Sequence, residues 1–394
     1  MLFRAVEMFL LLKRANADIT IDASLPAQFC KDERENIRLA LIYILTLRYD
    51  VTSNIMESTS SLMSKLKRVT LQQIADTVGV TKMTVSRYLR HPDTVAAPTG
   101  ARISAAIDTL GYIQNRAPSM LSRSSSKAIG IVIPSLSNQV FSALVQGIES
   151  VTRENGYDTL LAHTGYDEQE EQHKIAALLS YQVDGIILTE THHTHKTRQM
   201  LMQAGIPIVE SMELPASPLD MAVGLDHQEA AKQATQRLLT NGCRAPVYFA
   251  ARMDTRTLLR QAGYEQAMDE AGLEPVTIEM AGASDFSAGR RIMAKAMSVY
   301  PAMDGALCTN DDLAVGALFW CRDQQVPVPE QMRIIGYNGL DIGQAVSPAL
   351  TSVITPRYQI GEISARYLLD AINGKRSGAV RHDVGFSFTN GSTG

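Results

Sequence analysis

Residues 70–90 read TLQQIADTVGVTKMTVSRYLR, and the spacing of their apolar side chains predicts two short helices joined by a tight turn. Gly79 ends the first helix, and Thr81 is placed to cap the second. The buried positions recur at helical spacing, namely Ile74, Ala75 and Val78, then Val85 and Leu89. Hairpins of this kind occur in many helical domains, so the bare pattern leaves the role of this one open.

The second helix presents a face of hydrogen-bond donors and one flexible apolar side chain, formed by Lys82, Met83, Thr84, Ser86 and Arg87. That combination suits base edges in the major groove of DNA. Residues 64–126 hold nine Lys or Arg and three Asp, a net charge of +6, whereas the whole chain carries −4 and the remainder therefore −10. A basic module on an acidic body predicts a nucleic-acid partner for the module alone.

Composition limits the class of protein. The 394 residues are 45% hydrophobic and 20% charged, which is typical of a globular chain with two or three domains. The four cysteines lack CxxC spacing, and we expect reduced thiols in a cytoplasmic protein. The apolar stretch at 8–12 is too short to span a membrane and precedes no convincing cleavage site, so neither a signal peptide nor a membrane partner is expected.

The chain divides into an N-terminal extension, a helix-turn-helix domain, a hinge helix with its linker, and a core, predicted at 1–65, 66–113, 114–127 and 128–394. Residues 1–65 lack any feature that the rest of the chain requires. Met56 and Met63 stand just before the basic module, and one hypothesis is that translation begins at one of them. The alternative is a genuine appendage of unknown role.

A third amphipathic helix is expected to run from a cap at Thr99 to Leu110. After it, Asn115–Ser122 reads NRAPSMLS, about two helical turns, which are marginal in water without a partner. This segment is either a plain linker or a helix that becomes ordered when it docks. Its small and unbranched apolar side chains suit the minor groove, where Leu121 would wedge between base steps.

From Ala128 onward, the pattern changes to alternating strands and helices. Buried runs such as AIGIVIP and DGIILT alternate with amphipathic stretches, which predicts βαβ units and parallel sheets covered on both faces. The strands outnumber those of one open sheet, so we expect two α/β subdomains with a cleft between them. The predicted fold is therefore an all-α helix-turn-helix domain followed by two parallel-sheet α/β subdomains.

In open parallel sheets, ligands bind beyond the carboxyl ends of the strands. That rule indicates four cleft-lining loops, at Pro134–Phe141, Thr189–His195, Asn310 to Asp312, and Asn338. Arg260 adds a cation in the first turns of a helix, where anions bind readily. Asp312 is the expected cap of its helix. The histidines of the loop 192–195 lack further ligands at metal spacing, so we expect a polar loop facing the cleft and no metal site.

Landmarks within residues 66–390 resemble the lac repressor/gal repressor family of bacterial transcription regulators, in the order VTLQQIADTVGVTKMTVSRYLR, GYIQNRAPSMLS, TNDDLAVGAL and IIGYNGLDIGQ. The segments most similar to the regulators of gluconate and idonate use are GVTKMTVSRYLR, NRAPSML, IPSLSNQVF, GIESVT and SVITPR. The resemblance implies a homodimer whose recognition helices read the half-sites of a pseudo-palindromic operator in double-stranded DNA. Paired hinge helices would occupy the minor groove at its centre.

Carried onto this sequence, the resemblance implies base-reading side chains in the second helix and an intercalating leucine in the hinge. The DNA-binding candidates are Thr70, Thr81, Lys82, Met83, Thr84, Ser86, Arg87, Asn115, Arg116 and Leu121. Of these, Lys82, Met83 and Arg87 would read bases, and Leu121 would intercalate. The Asn-Arg pair at 115–116 matches the start of the family's hinge.

The resemblance also implies an effector site in the core. The effector-binding candidates are Ser137, Asn138, Phe141, Glu210, Arg260, Phe286, Asn310, Asp311 and Asn338. Arg260 stands where family members place an arginine that grips effector hydroxyls or carboxylates, and Asn310 with Asp311 matches an effector-contacting pair. Phe286 occupies an aromatic stacking position, although an aromatic side chain in a loop is as often part of a core.

Two positions depart from the family pattern. Asn338 stands where many members carry an aspartate for sugar hydroxyls, and Met212 stands near a position that is often acidic. Loss of acidic side chains while Arg260 is kept favours an anionic effector, such as a sugar acid, over a neutral sugar. Glu210 complicates this inference, because its carboxylate could point into the same cleft. A regulator of the same family that responds to a neutral sugar or a nucleobase is the alternative.

Motifs of catalysis are absent from the sequence, which has no GxGxxG after the first strand, no P-loop, no GxSxG and no carboxylates paired for acid–base work. We therefore expect neither an enzyme nor a cofactor.

An extracytoplasmic solute-binding protein would share the two-lobed core, but the basic module argues against it. No heptad tail follows the core, and the choice between dimer and tetramer stays open. The sequence predicts a cytoplasmic repressor controlled by a small effector.

Overall fold

The computed structural model describes residues 68–114, 125–375 and 381–394, which belong to two compact units, the first ending at Gln114. The first unit is helical and consists of α1 (Leu71–Val78), α2 (Lys82–Arg90), a 3-10 turn (Pro92–Thr94) and α3 (Ala97–Leu110). Its core is formed by the apolar faces of these helices, namely Ile74, Ala75, Val78, Val85, Ile103 and Ala106. These include four of the five apolar positions that the spacing predicts.

Local side chains fix where these helices begin and end. Thr70 and Gln73 form a reciprocal capping box at the start of α1, and Gly79 ends α1 in the left-handed region at φ 72°. Thr81 accepts a hydrogen bond from the backbone N–H of Thr84 at the start of α2. The expected cap of α3 at Thr99 is wrong, because the cap position is Ala96, three residues earlier, and a proline lies in the first turn of α3.

The second unit contains two lobes, and the first lobe is built largely from the earlier elements. These are β1 (Ala128–Ile133), α4 (Val140–Glu154), β2 (Asp158–His163), α5 (Glu168–Ser180), β3 (Gly185–Leu188), α6 (His195–Ala204), β4 (Ile208–Met212) and β5 (Met221–Gly224). Its sheet has the strand order β11-β5-β4-β3-β1-β2, in which β11 (Arg381–Asp383) comes from the end of the chain. All its paired strands are parallel.

The second lobe takes most of the remaining elements. These are α7 (His227–Thr240), β6 (Pro246–Ala251), α8 (Thr255–Glu270), β7 (Thr277–Met280), α9 (Phe286–Val299), β8 (Gly305–Cys308), α10 (Asp311–Asp323), β9 (Arg333–Asn338), α11 (Asp341–Ala345), β10 (Thr351–Ile354) and β12 (Ser387–Phe388). Its sheet has the order β12-β10-β9-β8-β6-β7, and only β12 pairs in the antiparallel sense. Helices cover the strands of both lobes, as parallel sheets require.

The last long helix, α12 (Arg357–Ile372), returns to the first lobe and packs against α4. Gly147 of α4 and Gly361 of α12 permit this close approach, because a Cβ atom on either would meet the backbone of the other helix. The chain therefore crosses between the lobes after β5, after β10 and between β11 and β12. Residues at or just after the carboxyl ends of strands in both sheets, such as Asn138 and Asn338, line a common cleft.

The structure tests the predictions made for the cysteines and for membrane-spanning segments. Cys243, Cys308 and Cys321 are free, buried thiols, as predicted, and Cys30 lies outside the described residues. Among the helices of the described ranges, none is both long and apolar enough to cross a membrane.

Candidate functional site

Helix α2 exposes the side chains that were predicted to read DNA. Lys82 and Arg87 are exposed, and Met83 is 65% exposed although it is apolar. Within the described part of the chain, neither Lys82 nor Arg87 has a side-chain ion pair, so both cations are available to a partner. Val85, which is buried, lies two positions from both Met83 and Arg87, so the helix places those two side chains on the opposite, outward face.

The other candidates in this unit take part in local structure. The hydroxyl groups of Thr81 and Thr84 lie 2.9 Å apart at the start of α2, and Thr70 belongs to the capping box of α1. Ser86 Oγ accepts a hydrogen bond of 3.1 Å from Arg90. The hinge candidates Asn115, Arg116 and Leu121 lie outside the described residues, as does the segment 1–65.

A small cavity, here called the inner cavity, lies between the carboxyl ends of the two sheets and has a volume of about 30 Å³. Five of the predicted effector residues line it, namely Asn138, Phe141, Arg260, Asn310 and Asn338. The lining residue Met212 has φ 83°, and the lining residue Asn338 has φ 105°. Left-handed backbone at residues other than glycine is strained and concentrates at functional sites.

Arg260 on α8 is a buried cation in the wall of the inner cavity. Its side chain is buried, its Nη1 donates a hydrogen bond of 2.5 Å to the Thr309 carbonyl, and its guanidinium lies 3.8 Å from the ring centroid of Tyr337. Its Nε has no hydrogen-bond partner, and no carboxylate lies within 4.0 Å in the described ranges. Since an arginine does not lose its proton in a protein, this cation lacks a counter-charge.

Arg256 lies one turn earlier on α8 and is surrounded differently. It donates to the Thr189 carbonyl at 2.7 Å, to Glu213 at 3.0 Å and to Glu190 at 2.6 Å, all in the first lobe. Burial alone would lower the pKa of Arg256, but the two carboxylates raise it above its ordinary value. Burial also raises the pKa of Glu190 to about 7. Together, these contacts of Arg256 tie α8 to the first lobe.

Arg252 follows β6 and makes a second connection between the lobes. Its Nη1 donates to the Tyr166 hydroxyl at 3.0 Å, and its guanidinium lies 4.3 Å from the Tyr166 ring centroid. Asn138 Nδ2 donates to the same hydroxyl at 3.3 Å. Tyr166, Arg252 and Asn138 all line the inner cavity. The Tyr166–Arg252 contact therefore forms part of its wall.

Four effector candidates lie away from the inner cavity. Ser137 is exposed and lines a separate cavity, and Phe286, at the start of α9, is 40% exposed. Glu210 is buried in β4, where it accepts a hydrogen bond of 2.5 Å from the Leu219 N–H. Asp311 is fully buried and accepts hydrogen bonds from Leu340 N at 2.6 Å and Ser352 Oγ at 2.5 Å. Burial raises the pKa of Asp311 to about 7.

The expected cap at Asp312 is wrong, because Asn310 caps α10 and accepts from Leu313 N. The expected cleft-facing histidine loop is also wrong at His193, whose side chain is fully buried. His193 Nδ1 lies 2.8 Å from Glu171 Oε2, and its Nε2 lies 3.6 Å from Glu210 Oε1. Burial alone would lower the pKa of His193, but these carboxylates raise it to about 9.

Several lining residues escaped sequence reasoning, namely Tyr166, Arg252, Asp254, Arg256, Ser284 and Thr309. Arg252 and Asp254 follow a buried strand in the sequence AARMDTR, so the strand-end rule would have indicated them. Ser284 Oγ is buried without a hydrogen-bond partner in the described residues. In the same ranges, no group of three or more His, Cys, Asp or Glu residues is arranged to hold a metal ion.

Comparison with known proteins identifies both units. Residues 70–115 match the family model "Bacterial regulatory proteins, lacI family". Residues 126–387 match "Periplasmic binding proteins and sugar binding domain of LacI family".

Two curated relatives are similar over most of their length. The HTH-type transcriptional regulator GntR of Escherichia coli K12 is 48% identical over 329 residues, which are 84% of this chain and 99% of GntR. The regulator IdnR of the same strain is 43% identical over 327 residues, 83% of this chain and 98% of IdnR. The crystal structure of the transcription regulator GntR from Chromobacterium violaceum covers 68% of this chain and 98% of its own, with 32% identity and a TM-score of 0.64. The chain therefore belongs to the LacI family and is a DNA-binding transcriptional regulator.

Proposed function

We propose that the protein is a homodimeric repressor whose operator affinity is lowered by a sugar acid, such as gluconate or idonate, bound between its two lobes. The observation that carries the effector class is Arg260, a buried guanidinium without a carboxylate partner in the described ranges. Similarity to GntR and IdnR supports the same class, given the resemblance to regulators of gluconate and idonate use.

A carboxylate ligand would supply the charge that Arg260 lacks. A guanidinium binds a carboxylate through two parallel hydrogen bonds, and such charge-assisted bonds are about twice as strong as neutral ones. Asn138, Ser284, Asn310 and Asn338 offer neutral hydrogen-bonding groups around the same cavity, which suits the hydroxyl groups of a sugar acid. A neutral sugar would leave the buried cation uncompensated, and that is unfavourable.

The DNA-binding side of the proposal rests on α2. Its exposed Lys82, Met83 and Arg87 would read operator bases, and the basic charge of residues 64–126 would attract phosphates in a salt-dependent manner. The hinge residues Asn115, Arg116 and Leu121 would add the minor-groove contact. Effector binding would change the angle between the lobes, separate the paired hinges and weaken that contact.

Gluconate binding by an Arg260→Gln variant tests the effector site. Removal of the guanidinium should weaken gluconate binding roughly 100-fold, since charge-assisted hydrogen bonds contribute about 1.5–3 kcal/mol. Isothermal titration calorimetry of the full-length dimer measures this change. Arg366→Gln is the matched control, because Arg366 is an exposed arginine on α12, and its gluconate affinity should equal that of the wild type.

The competing effector class makes a different prediction in the same experiment. A wild-type protein that binds glucose but not gluconate would show that the effector is a neutral sugar. Equal gluconate affinities of Arg260→Gln and the wild type would show that Arg260 does not hold the carboxylate.

A further inference from the structure

A second, larger cavity adjoins the inner one at the cleft. This outer cavity has a volume of about 600 Å³ and is lined by side chains that include Ser135, Ser137 and His163. Tyr166 and Arg252 line both cavities. Tyr166 and Arg252, which form one of the connections between the lobes, therefore also separate the inner cavity from the outer one.

The inner cavity is small, so the Tyr166–Arg252 contact that separates it from the outer cavity affects how a ligand reaches Arg260. A volume of about 30 Å³ has room for roughly two water molecules, which is far less than a sugar acid occupies. A ligand that reaches Arg260 must therefore displace part of the wall. The Tyr166–Arg252 contact in this wall joins the two lobes through one hydrogen bond and one cation–π contact.

Both residues of the partition are held in strained backbone. Tyr166 has φ 67° and Arg252 has φ 54°, and neither is glycine. Strain of this kind persists only when surrounding contacts compensate for it, and it is found in clamps and switch regions. The Tyr166–Arg252 contact joins these two strained residues across the cleft.

The Tyr166 hydroxyl, which accepts a hydrogen bond from Arg252, can also donate one to a ligand. The Tyr166 hydroxyl oxygen accepts hydrogen bonds from Arg252 and from Asn138, and burial raises the pKa of Tyr166, so the hydroxyl keeps its proton. No acceptor for that proton is present among the described residues. The guanidinium of Arg252, like that of Arg260, has no carboxylate within 4.0 Å in the same ranges.

We propose that Tyr166 and Arg252 form a gate that opens to admit the effector and closes over it, and so sets the rates of effector exchange. The proposal rests on the proposed function, because it takes a sugar acid at Arg260 as the molecule that passes. A gate that blocks passage in both directions slows association and dissociation alike. A residue that merely contacts bound ligand slows dissociation alone.

The test measures both rates with radiolabelled gluconate and full-length protein, by rapid filtration after mixing and after a chase with unlabelled gluconate. Arg252→Ala should raise the dissociation rate roughly tenfold and the association rate in the same direction, so that Kd changes less than either rate. Tyr166→Phe keeps the ring but loses the accepting hydroxyl, and about a threefold increase in both rates is expected.

Further variants separate the gate from general damage to the fold. Arg252→Gly removes the same side chain and suits φ 54°, so it should fold at least as well as Arg252→Ala and show the same faster exchange. Arg252→Lys keeps the charge without the planar stacking and should lie between wild type and Arg252→Ala. The exposed residues changed in Arg366→Ala and Tyr181→Phe are matched controls, with rates equal to those of the wild type.

The possible outcomes are distinct. Wild type that binds gluconate, with unchanged rates in Arg252→Ala, Arg252→Gly and Tyr166→Phe, overturns the gate and leaves the proposed function standing. Faster dissociation with unchanged association also overturns it, since that result describes a ligand contact. Wild type that binds no gluconate overturns the proposed effector and the gate that depends on it.

Discussion

Two arginines one turn apart on α8 lie in the same cleft wall and have opposite surroundings. Arg256 reaches into the first lobe and is held by Glu190 and Glu213. Arg260 lies on the face of Tyr337 and donates to a carbonyl, with no carboxylate within 4.0 Å among the described residues. The difference separates a cation that holds the protein together from one that is available to a ligand.

The same distinction applies elsewhere in the molecule. His193 is a buried cation placed between Glu171 and Glu210, whereas Arg87 is an exposed cation on α2 without an ion pair in the described ranges. Neutralised charges should therefore matter for stability, and unneutralised ones for binding.

Loss of Arg256 should have the largest effect on stability. Arg256→Met leaves two carboxylates without their cation, and removal of one partner from a buried ion pair costs about 3–5 kcal/mol. Arg260→Met keeps the volume and removes no carboxylate's partner, so its loss should be clearly smaller. Urea denaturation of both variants and the wild type, followed by far-UV circular dichroism, measures the free energies of unfolding.

Equal losses of stability in Arg256→Met and Arg260→Met would contradict the comparison between the two arginines. A matched exposed control, Arg366→Met, should fall within about 0.5 kcal/mol of the wild type.

His193 should make stability depend on pH. Its pKa of about 9 in the folded protein lies above the ordinary value of 6.5, so its stabilising contribution is complete below pH 6.5. That contribution is lost as the pH rises through 9, and its size is roughly 3 kcal/mol. The measurement is the difference in unfolding free energy between wild type and His193→Gln from pH 6 to pH 9.5.

Taking this difference removes the titration of groups that do not contact His193, including Glu190 and Asp311, whose pKa values burial raises to about 7. A difference that stays constant across that pH range would show that His193 is not charged in the folded protein.

Arg87 should affect binding and leave stability unchanged. Arg87→Ala is expected to weaken operator affinity by about 1–2 kcal/mol, roughly tenfold, as for an arginine that contacts a base edge. Fluorescence anisotropy with a labelled duplex, selected by the protein from a random pool, measures the loss at fixed salt. A lowered unfolding free energy with normal operator affinity would place Arg87 among the structural charges instead.

Local chemistry explains what the sequence could predict. The boundaries of α1 and α2 follow from Thr70, Gly79 and Thr81, because caps and left-handed turns are determined by residues close in sequence. The residues of the cleft could also be predicted in part, because ligands bind beyond the carboxyl ends of parallel strands and the sequence shows where buried strands end. Asn310 and Asp312 are both good caps, and their types alone did not decide between them.

Charge pairing could not be predicted, because it depends on contacts between distant segments. Arg256 meets Glu213 and Glu190 across 43 and 66 residues of sequence, and His193 meets Glu171 across 22. The short strands β11 and β12 have three and two residues, too few for a periodic pattern. Helix α7 carries many polar residues, and the residues it buries are mostly small. Its buried and exposed faces therefore differ little in hydrophobicity, and the sequence pattern did not reveal the helix.

A sugar acid in the cleft should weaken operator binding, and thermodynamic linkage between the two sites allows this to be measured. Operator affinity of the wild type should be measured by anisotropy at fixed salt, with and without saturating gluconate. Coupling between such sites is typically about 1–3 kcal/mol, so affinity should fall about 5- to 150-fold, and operator should weaken gluconate binding by the same factor. Operator affinity that is the same with and without gluconate would show that gluconate does not control DNA binding by this protein.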